Sequence, residues 1–456
     1  MKKFFNISLL TLVSIASLSL MSCKNETDPI FDDDAVIRMK NAMADYTDLL
    51  VSNGGKWQLQ YFSNSDEPGY VYILTFEKDG SVTISGHNNW INIIQNGGNY
   101  TDASAFGSEK SMWQVIGDNG LVLSFNTYNR YFHLFADPYN IPDKGGASGQ
   151  GTVNEAGYGH EGDYEFNIMG RSENSDTIFL TGKKYDHPMR LIRMSSSLDD
   201  ETFLSEVASL NKSMYSSKLP YVFIVLPDGV RWYVENASSG NMRMYREGSD
   251  RITSSEYHNF IITHDGMSFM HPIVLDGYTI QNFVRQADGT VLCTDDNKTI
   301  ITAESLPECL ANKLLEKWQS NPKTQMGGIY YDLMTSIGNE LKNAKLGTLK
   351  NMEIRYNSEK GCYDFRMYAT KAGKSPDITY YFNFNAISDT QVKFVFNGER
   401  NANANSYDPK CPSFKAFVEA VGAATFNLSA ESLLAPINIT MAESNNSENY
   451  IIWSIP

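Results

Sequence analysis

The residue whose chemistry is most constrained by its surroundings is Cys23. It follows Leu20-Met21-Ser22: a large apolar residue, then a small residue just before the thiol. Upstream, Lys2 and Lys3 precede an apolar stretch from Ile7 to Leu20. A basic start, a short apolar core and a small residue at the cut make a secretory signal. A cysteine directly after the cut adds the nucleophilic sulfur that accepts diacylglycerol. The expectation is removal of residues 1–22, lipidation of Cys23, and attachment to the outer membrane through that lipid, at the cell surface.

Other chemistry is weakly encoded. Gly157-Tyr158-Gly159-His160-Glu161-Gly162 formally matches G-x-G-x-x-G. That motif binds a dinucleotide only between a strand and a helix, where the helix N-terminus meets the pyrophosphate. Here a glycine-rich stretch, 137–162, precedes it and a strand pattern follows, so a loop is expected. The seven histidines form no H-E-x-x-H, and His264 and His271 would meet only across a hairpin. No G-x-S-x-G marks a nucleophile elbow and no pair of carboxylates stands out. Neither a metal nor a cofactor is expected, and no catalytic residue is assigned. Besides Cys23, four cysteines remain, at 293, 309, 362 and 411, without a C-x-x-C pair. They allow three pairings, of which Cys293–Cys309 with Cys362–Cys411 suits the spacing best, although a chain of this size can form a core without disulfides.

Aromatic side chains make up 12% of the chain, led by 26 tyrosines and 24 phenylalanines. Flat rings on a rigid sheet suit sugar rings and peptides. Trp90, Tyr128, Tyr131, Tyr139 and Tyr158 lie in or near expected loops of the first half and are the candidate ligand contacts. Trp113 lies among them. Most individual aromatics of a β-rich protein pack into its core, which is the competing assignment for each.

These residues need a scaffold, and the hydropathy pattern describes one. The segment 23–35 is polar and acidic and reads as a tether. Val36, Met39, Met43, Tyr46 and Leu50 recur at helical spacing. From Trp57 the period switches to two, and Asp79-Gly80 reads as a hairpin turn. A second helix is expected over 201–214, a third over 304–318 and a fourth carrying Ile329, Leu333, Ile337 and Leu341. Strand-like runs follow each. Helix followed by meander thus recurs near residues 36, 200 and 325. The expected fold is α+β, dominated by antiparallel β meanders with a few amphipathic helices. The expected units are a β-rich N-terminal domain at 36–198, a β-rich middle domain at 199–323 and an α+β C-terminal domain at 324–456. The formal charge of −15 repels phosphate backbones, so no nucleic-acid partner is expected.

One segment is more specific than any motif: 123–138, LSFNTYNRYFHLFADP. Together with Gly162-Asp163-Tyr164-Glu165-Phe166, Gly182-Lys183-Lys184 and Asp265-Gly266-x-x-Phe269-x-x-Pro272-Ile273, it resembles a family of uncharacterised Bacteroidetes surface lipoproteins, a domain of unknown function. The likeness weakens after about residue 330. The resemblance implies an accessory protein of a nutrient-uptake system of the starch-utilisation type, beside a TonB-dependent transporter and its binding lipoprotein. It implies no catalytic residues. The reading carried forward is a lipid-anchored binding or accessory protein with a neutral glycan or peptide ligand. A secreted hydrolase of glycans or peptides, and a non-catalytic scaffold beside a transporter, remain the rival readings.

Overall fold

A computed structural model describes residues 34–64, 67–99, 101–137, 160–214, 222–236, 241–249, 257–313, 315–432, 434 and 436–456. Cys23, the signal segment, nearly all of the tether and most of the stretch 137–162 lie outside them.

The first sheet contains β1 (Lys56–Tyr61), β2 (Tyr70–Phe76), β3 (Ser81–Asn88), β4 (Ala105–Met112), β5 (Gln114–Gly117), β6 (Leu121–Ser124), β7 (Glu165–Arg171), β8 (Thr177–Gly182) and β9 (Pro188–Arg193). Its order is β4-β3-β2-β1-β9-β8-β7-β6-β5, antiparallel throughout. The two edges, β4 and β5, are separated in the chain by Trp113 alone. The sheet therefore curls until its edges are two halves of one bent strand. Trp113 fixes the bend: its Nε1 donates to the Ser81 carbonyl at 3.0 Å and its ring meets Phe76 edge-on at 4.8 Å.

Period-two patterning explains the inner face. Trp57, Leu59, Tyr61, Tyr72 and Leu74 are essentially fully buried. On β2 the outward side chains Val71 and Ile73 are buried as well. Helix α1 (Ala35–Val51) leads into this sheet, α2 (Asn89–Gln95) follows β3, and α3 (Asp200–Met214) lies against its outer face. Leu204 and Val207 of α3 pack with Val71, Ile73, Ile261 and Met270. A strand covered on both sides loses the polar alternation of a half-exposed one.

The next eight strands, from β10 (Val222–Val225) to β17 (Ile300–Ala303), form a closed antiparallel barrel in which β10 pairs with β17. The first sheet meets this barrel closely at Gly69, whose N–H donates to the Phe260 carbonyl at 3.0 Å. A Cβ there would sit 2.5 Å from the Cβ of Ile261, so only glycine allows the approach. The third sheet runs from Trp318–Ser320 to Tyr450–Ser454 and also returns on itself, through the pairing of Gln319 with Ser454. Its core holds Trp318, Phe365, Phe382 and Trp453. Three antiparallel β units with few helices are the architecture, and among the described residues no helix is long and apolar enough to cross a membrane.

Several expectations need correction. The helix expected over 304–318 is only Leu306–Leu310, and Trp318 belongs to a strand paired with Ile354. The Ala311 carbonyl accepts from the Tyr363 hydroxyl at 2.8 Å, so sheet contacts take the backbone where the helix would have continued. Leu306, Cys309, Leu310 and Trp318 all pack in the third core, so the segment from about 306 joins the third unit rather than the middle one. The helix Gly328–Asn343 buries Tyr330, Met334, Ile337 and Leu341, with Ile329 exposed. The favoured disulfide pairs do not form: Cys293, Cys309, Cys362 and Cys411 are free and buried. Burial pushes the Cys293 and Cys411 thiols up to about 11.

Candidate functional site

The segment after β6 plugs one end of the first sheet's core. Phe125, Phe132 and Phe135 are fully buried. The rings of Phe132 and Phe135 each lie 5.2 Å from that of Tyr61. Such a plug needs anchors, and asparagine and arginine supply them. Asn129, fully buried, donates from Nδ2 to the Glu109 carbonyl at 3.2 Å and accepts the Tyr131 N–H at 3.1 Å. Arg130 gives its backbone N–H to Glu109 Oε2 at 2.7 Å and its Nε to Oε1 at 3.0 Å. The plug is thereby tied to β4 while it leaves from β6. Just before the anchors Tyr128 turns outward and is 55% exposed.

Tyr128 belongs to a row of three rings. His133 lies 5.4 Å from Tyr128, with 40° between planes, and 4.9 Å from Tyr164, with 29° between planes. Tyr164 is 41% exposed while His133 is buried. His133 Nδ1 accepts the Asn129 N–H at 3.1 Å, which leaves Nε2 to donate to the Phe125 carbonyl at 3.0 Å. This network assigns one neutral tautomer. Burial holds the imidazole below its ordinary value near 6.5, outweighing the Phe125 carbonyl. At neutral pH the row is therefore uncharged. Neither tyrosine hydroxyl has a partner among the described residues. Two open aromatic faces with free hydroxyls on a fixed backing suit a ring that is apolar on its face and polar at its rim.

The sequence candidates divide. Tyr128 is on this surface. Trp90 is 7% exposed, donates from Nε1 to the Tyr70 hydroxyl at 2.8 Å and meets His160 edge-on at 4.5 Å. Tyr131 is 6% exposed, and its backbone carbonyl accepts the Tyr72 hydroxyl at 3.0 Å. Both are packing residues with no free ring face, which corrects their assignment as ligand contacts. Trp113 is a packing residue too. Tyr139 and Tyr158 lie outside the described residues. His133 and Tyr164 were not singled out for binding. Tyr164 carried a signal, since it falls just before β7, whereas His133 lies in a short 3-10 turn at 133–136 that no local pattern marks.

A second polar cluster closes the same unit beside the middle barrel. Glu67, 5% exposed, pairs with His160 Nδ1 and accepts from Ser63 Oγ at 3.0 Å and the Tyr70 hydroxyl at 3.4 Å. Burial pushes the Tyr70 phenol well above its ordinary range. Asn259 of the barrel donates to the Asn64 and Glu67 carbonyls at 3.2 and 2.6 Å. Ser63 reaches the acid rather than the imidazole, so the order hydroxyl–imidazole–carboxylate of a nucleophilic relay is not formed. The cluster satisfies most of the buried polar groups where the two units meet, His160 Nε2 alone of its side-chain atoms having no partner among the described residues. Among the described residues no three His, Cys, Asp or Glu side chains converge as a metal site would require.

Comparison with known proteins gives a family and no activity. The chain belongs to the family described as "Domain of unknown function (DUF4302)", whose model matches residues 27–287, more than half of its length. The aromatic row lies within that span. No curated protein matches the chain. Among solved structures, the beta subunit of DNA polymerase from Streptococcus pyogenes is similar at 10% identity, over 91% of this chain and 98% of that one, with a TM-score of 0.12. That score carries no argument about fold or function.

Proposed function

We propose that this chain is a lipid-anchored cell-surface binding or accessory protein of an outer-membrane nutrient-uptake system, and that it holds a neutral glycan or peptide against Tyr128 and Tyr164. The observation that carries the ligand part is the row Tyr128–His133–Tyr164, two exposed rings flanking an imidazole kept neutral by burial and held in place by its hydrogen bonds. Uncharged rings favour uncharged ligands, and binding to them should depend only weakly on salt. The acidic composition argues in the same direction, against anionic partners. The anchoring part rests on Lys2, Lys3, the apolar stretch and Cys23. The partnership with a TonB-dependent transporter and its binding lipoprotein rests on the family resemblance alone. A binding and turnover screen of the mature chain against neutral oligosaccharides and peptides tests the reading. Saturable binding without turnover supports it, turnover makes the protein a hydrolase, and neither leaves the scaffold. Recovery of a transporter in a cross-linked pull-down from intact cells tests the partnership, and its absence removes that part.

A further inference from the structure

The third β unit carries a cavity of about 570 Å³ that the aromatic row does not involve. It opens where Trp318–Ser320 bridges the strands Thr348–Asn357 and Tyr450–Ser454. Cavities of roughly 300–1,000 Å³ are the usual size for small-ligand sites. Most such sites are largely apolar, and this one is not. Eleven of its twelve lining residues carry a hydroxyl, amide, carboxyl or ammonium group, Pro456 being the other.

Glu353 organises the lining. It is 5% exposed and directly opposite Gln319 in the strand pairing. Its Oε1 accepts from Gln319 Nε2 at 2.9 Å, Lys317 Nζ at 3.3 Å and Asn351 Nδ2 at 3.4 Å. Its Oε2 accepts from the Tyr368 hydroxyl at 2.9 Å. The carboxylate keeps acceptor capacity at Oε2. Gln319 and Asn351 each have one N–H on the carboxylate and retain a second N–H and a carbonyl oxygen. Ser320, another lining residue and 1% exposed, has a buried hydroxyl with no partner among the described residues. The cavity thus presents donors and acceptors in alternation around a fixed charge.

We propose that this cavity is a binding site for a neutral saccharide, separate from the aromatic row and independent of it. Each sugar hydroxyl donates once and accepts through its lone pairs, which is what alternating amide, hydroxyl and carboxylate groups require. Hydrogen bonds to the desolvated carboxylate are the strong ones of the set. An anionic ligand would meet Glu353, and a cationic one would meet Lys317 and Lys350. A peptide side chain would find only Tyr368 and Pro456 as ring surfaces, with no aliphatic side chain lining the cavity. Lys317 is compensated by Glu353. Lys350 is exposed at the rim without an ion pair among the described residues, so its charge is screened by water.

The test is calorimetric titration of the mature chain with maltohexaose, cellohexaose, xylohexaose, mannohexaose and laminarihexaose. The proposal expects saturable binding of at least one, weakened roughly tenfold by Tyr368→Phe and by Gln319→Ala and unaffected by Tyr128→Ala. A melting curve checks that each variant is folded. Protection of Lys350 from acetylation by the same sugar, read by mass spectrometry on the unaltered chain, gives a readout independent of any variant. Binding that Tyr128→Ala removes and the cavity variants do not would support the aromatic row and overturn this proposal. Absence of binding to every sugar up to millimolar concentration, or binding without protection of Lys350, would overturn it as well.

Discussion

Replacement of Trp90 by alanine should destabilise the first β unit far more than replacement of Tyr128, although both are aromatic residues near loops. Trp90 is 7% exposed, sits edge-on to His160 at 4.5 Å and donates to the Tyr70 hydroxyl at 2.8 Å. Removing a buried indole costs about 3–5 kcal/mol through lost transfer energy and the cavity left behind. The Tyr70 hydroxyl keeps its 3.4 Å contact to Glu67 but loses its donor, which adds about 1 kcal/mol. The sum, roughly 4–6 kcal/mol, is comparable with the whole stability of a domain, about 5–15 kcal/mol. Tyr128 is 55% exposed and its hydroxyl has no hydrogen bond among the described residues. Its truncation should stay within about 0.5 kcal/mol. Urea unfolding at neutral pH, followed by circular dichroism, reads both. The first transition should move to much lower urea for Trp90→Ala and stay in place for Tyr128→Ala. Equal midpoints for the two variants would refute the assignment of Trp90 to the core and of Tyr128 to the surface.

Three further outcomes can be measured, two drawn from the structure and one from the signal sequence. His133 has its pKa lowered by burial, so the unfolded chain binds its proton more readily; stability should be full above the ordinary value near 6.5 and fall as pH drops through the lowered one, a loss that His133→Phe should flatten in acid unfolding curves. Burial pushes the Asp295 carboxyl up, but hydrogen bonds from Asn282 and Gln281 at 2.6–3.0 Å outweigh it and hold the pKa below the usual carboxylate value, so Asp295→Asn should lower the melting temperature at neutral pH and have little effect once pH is below that lowered value; a pH-independent cost would contradict this. Cys23→Ala should abolish fatty-acid labelling and block signal cleavage, and labelling that survives would move the anchor elsewhere.

What the sequence revealed depended on how local the cause was. The helix at Asp200–Met214 buries Leu204, Val207, Leu210 and Met214, the stripe its spacing announces. Gly80 and Gly229 turn hairpins at φ 82° and 86°, as Asp-Gly pairs predict. Closure of the sheets was not legible, because it depends on one bend at Trp113 and on pairings between strands distant in the chain. The spacing over 304–318 predicts a longer helix than Leu306–Leu310 for a related reason, since Trp318 obeys a helical period yet is drawn into a strand by Ile354. Among the aromatics, composition says that rings are abundant but not which side of a sheet they face. Trp90 went inward because the Tyr70 hydroxyl accepts its Nε1–H in the core, and Tyr131 because its ring packs on Gly107 with Gln95 Nε2 donating to its hydroxyl at 3.4 Å. Tyr128 went outward because Asn129 and Arg130 pin the backbone on the far side of it. The polar cavity around Glu353 is assembled from residues more than thirty positions apart, and no local pattern marks it.

The central claim is that Tyr128 and Tyr164 form a ligand-binding face, and the double variant Tyr128→Ala/Tyr164→Ala tests it most directly. Titration of the mature chain with the neutral oligosaccharides and with a library of neutral peptides should find a ligand whose affinity changes little with salt. The double variant should weaken that ligand by about 1–3 kcal/mol, at roughly 0.5–1.5 kcal/mol for each ring, without a change in melting temperature. Unchanged affinity in a folded double variant, or no ligand at all for the unaltered chain, would contradict the claim.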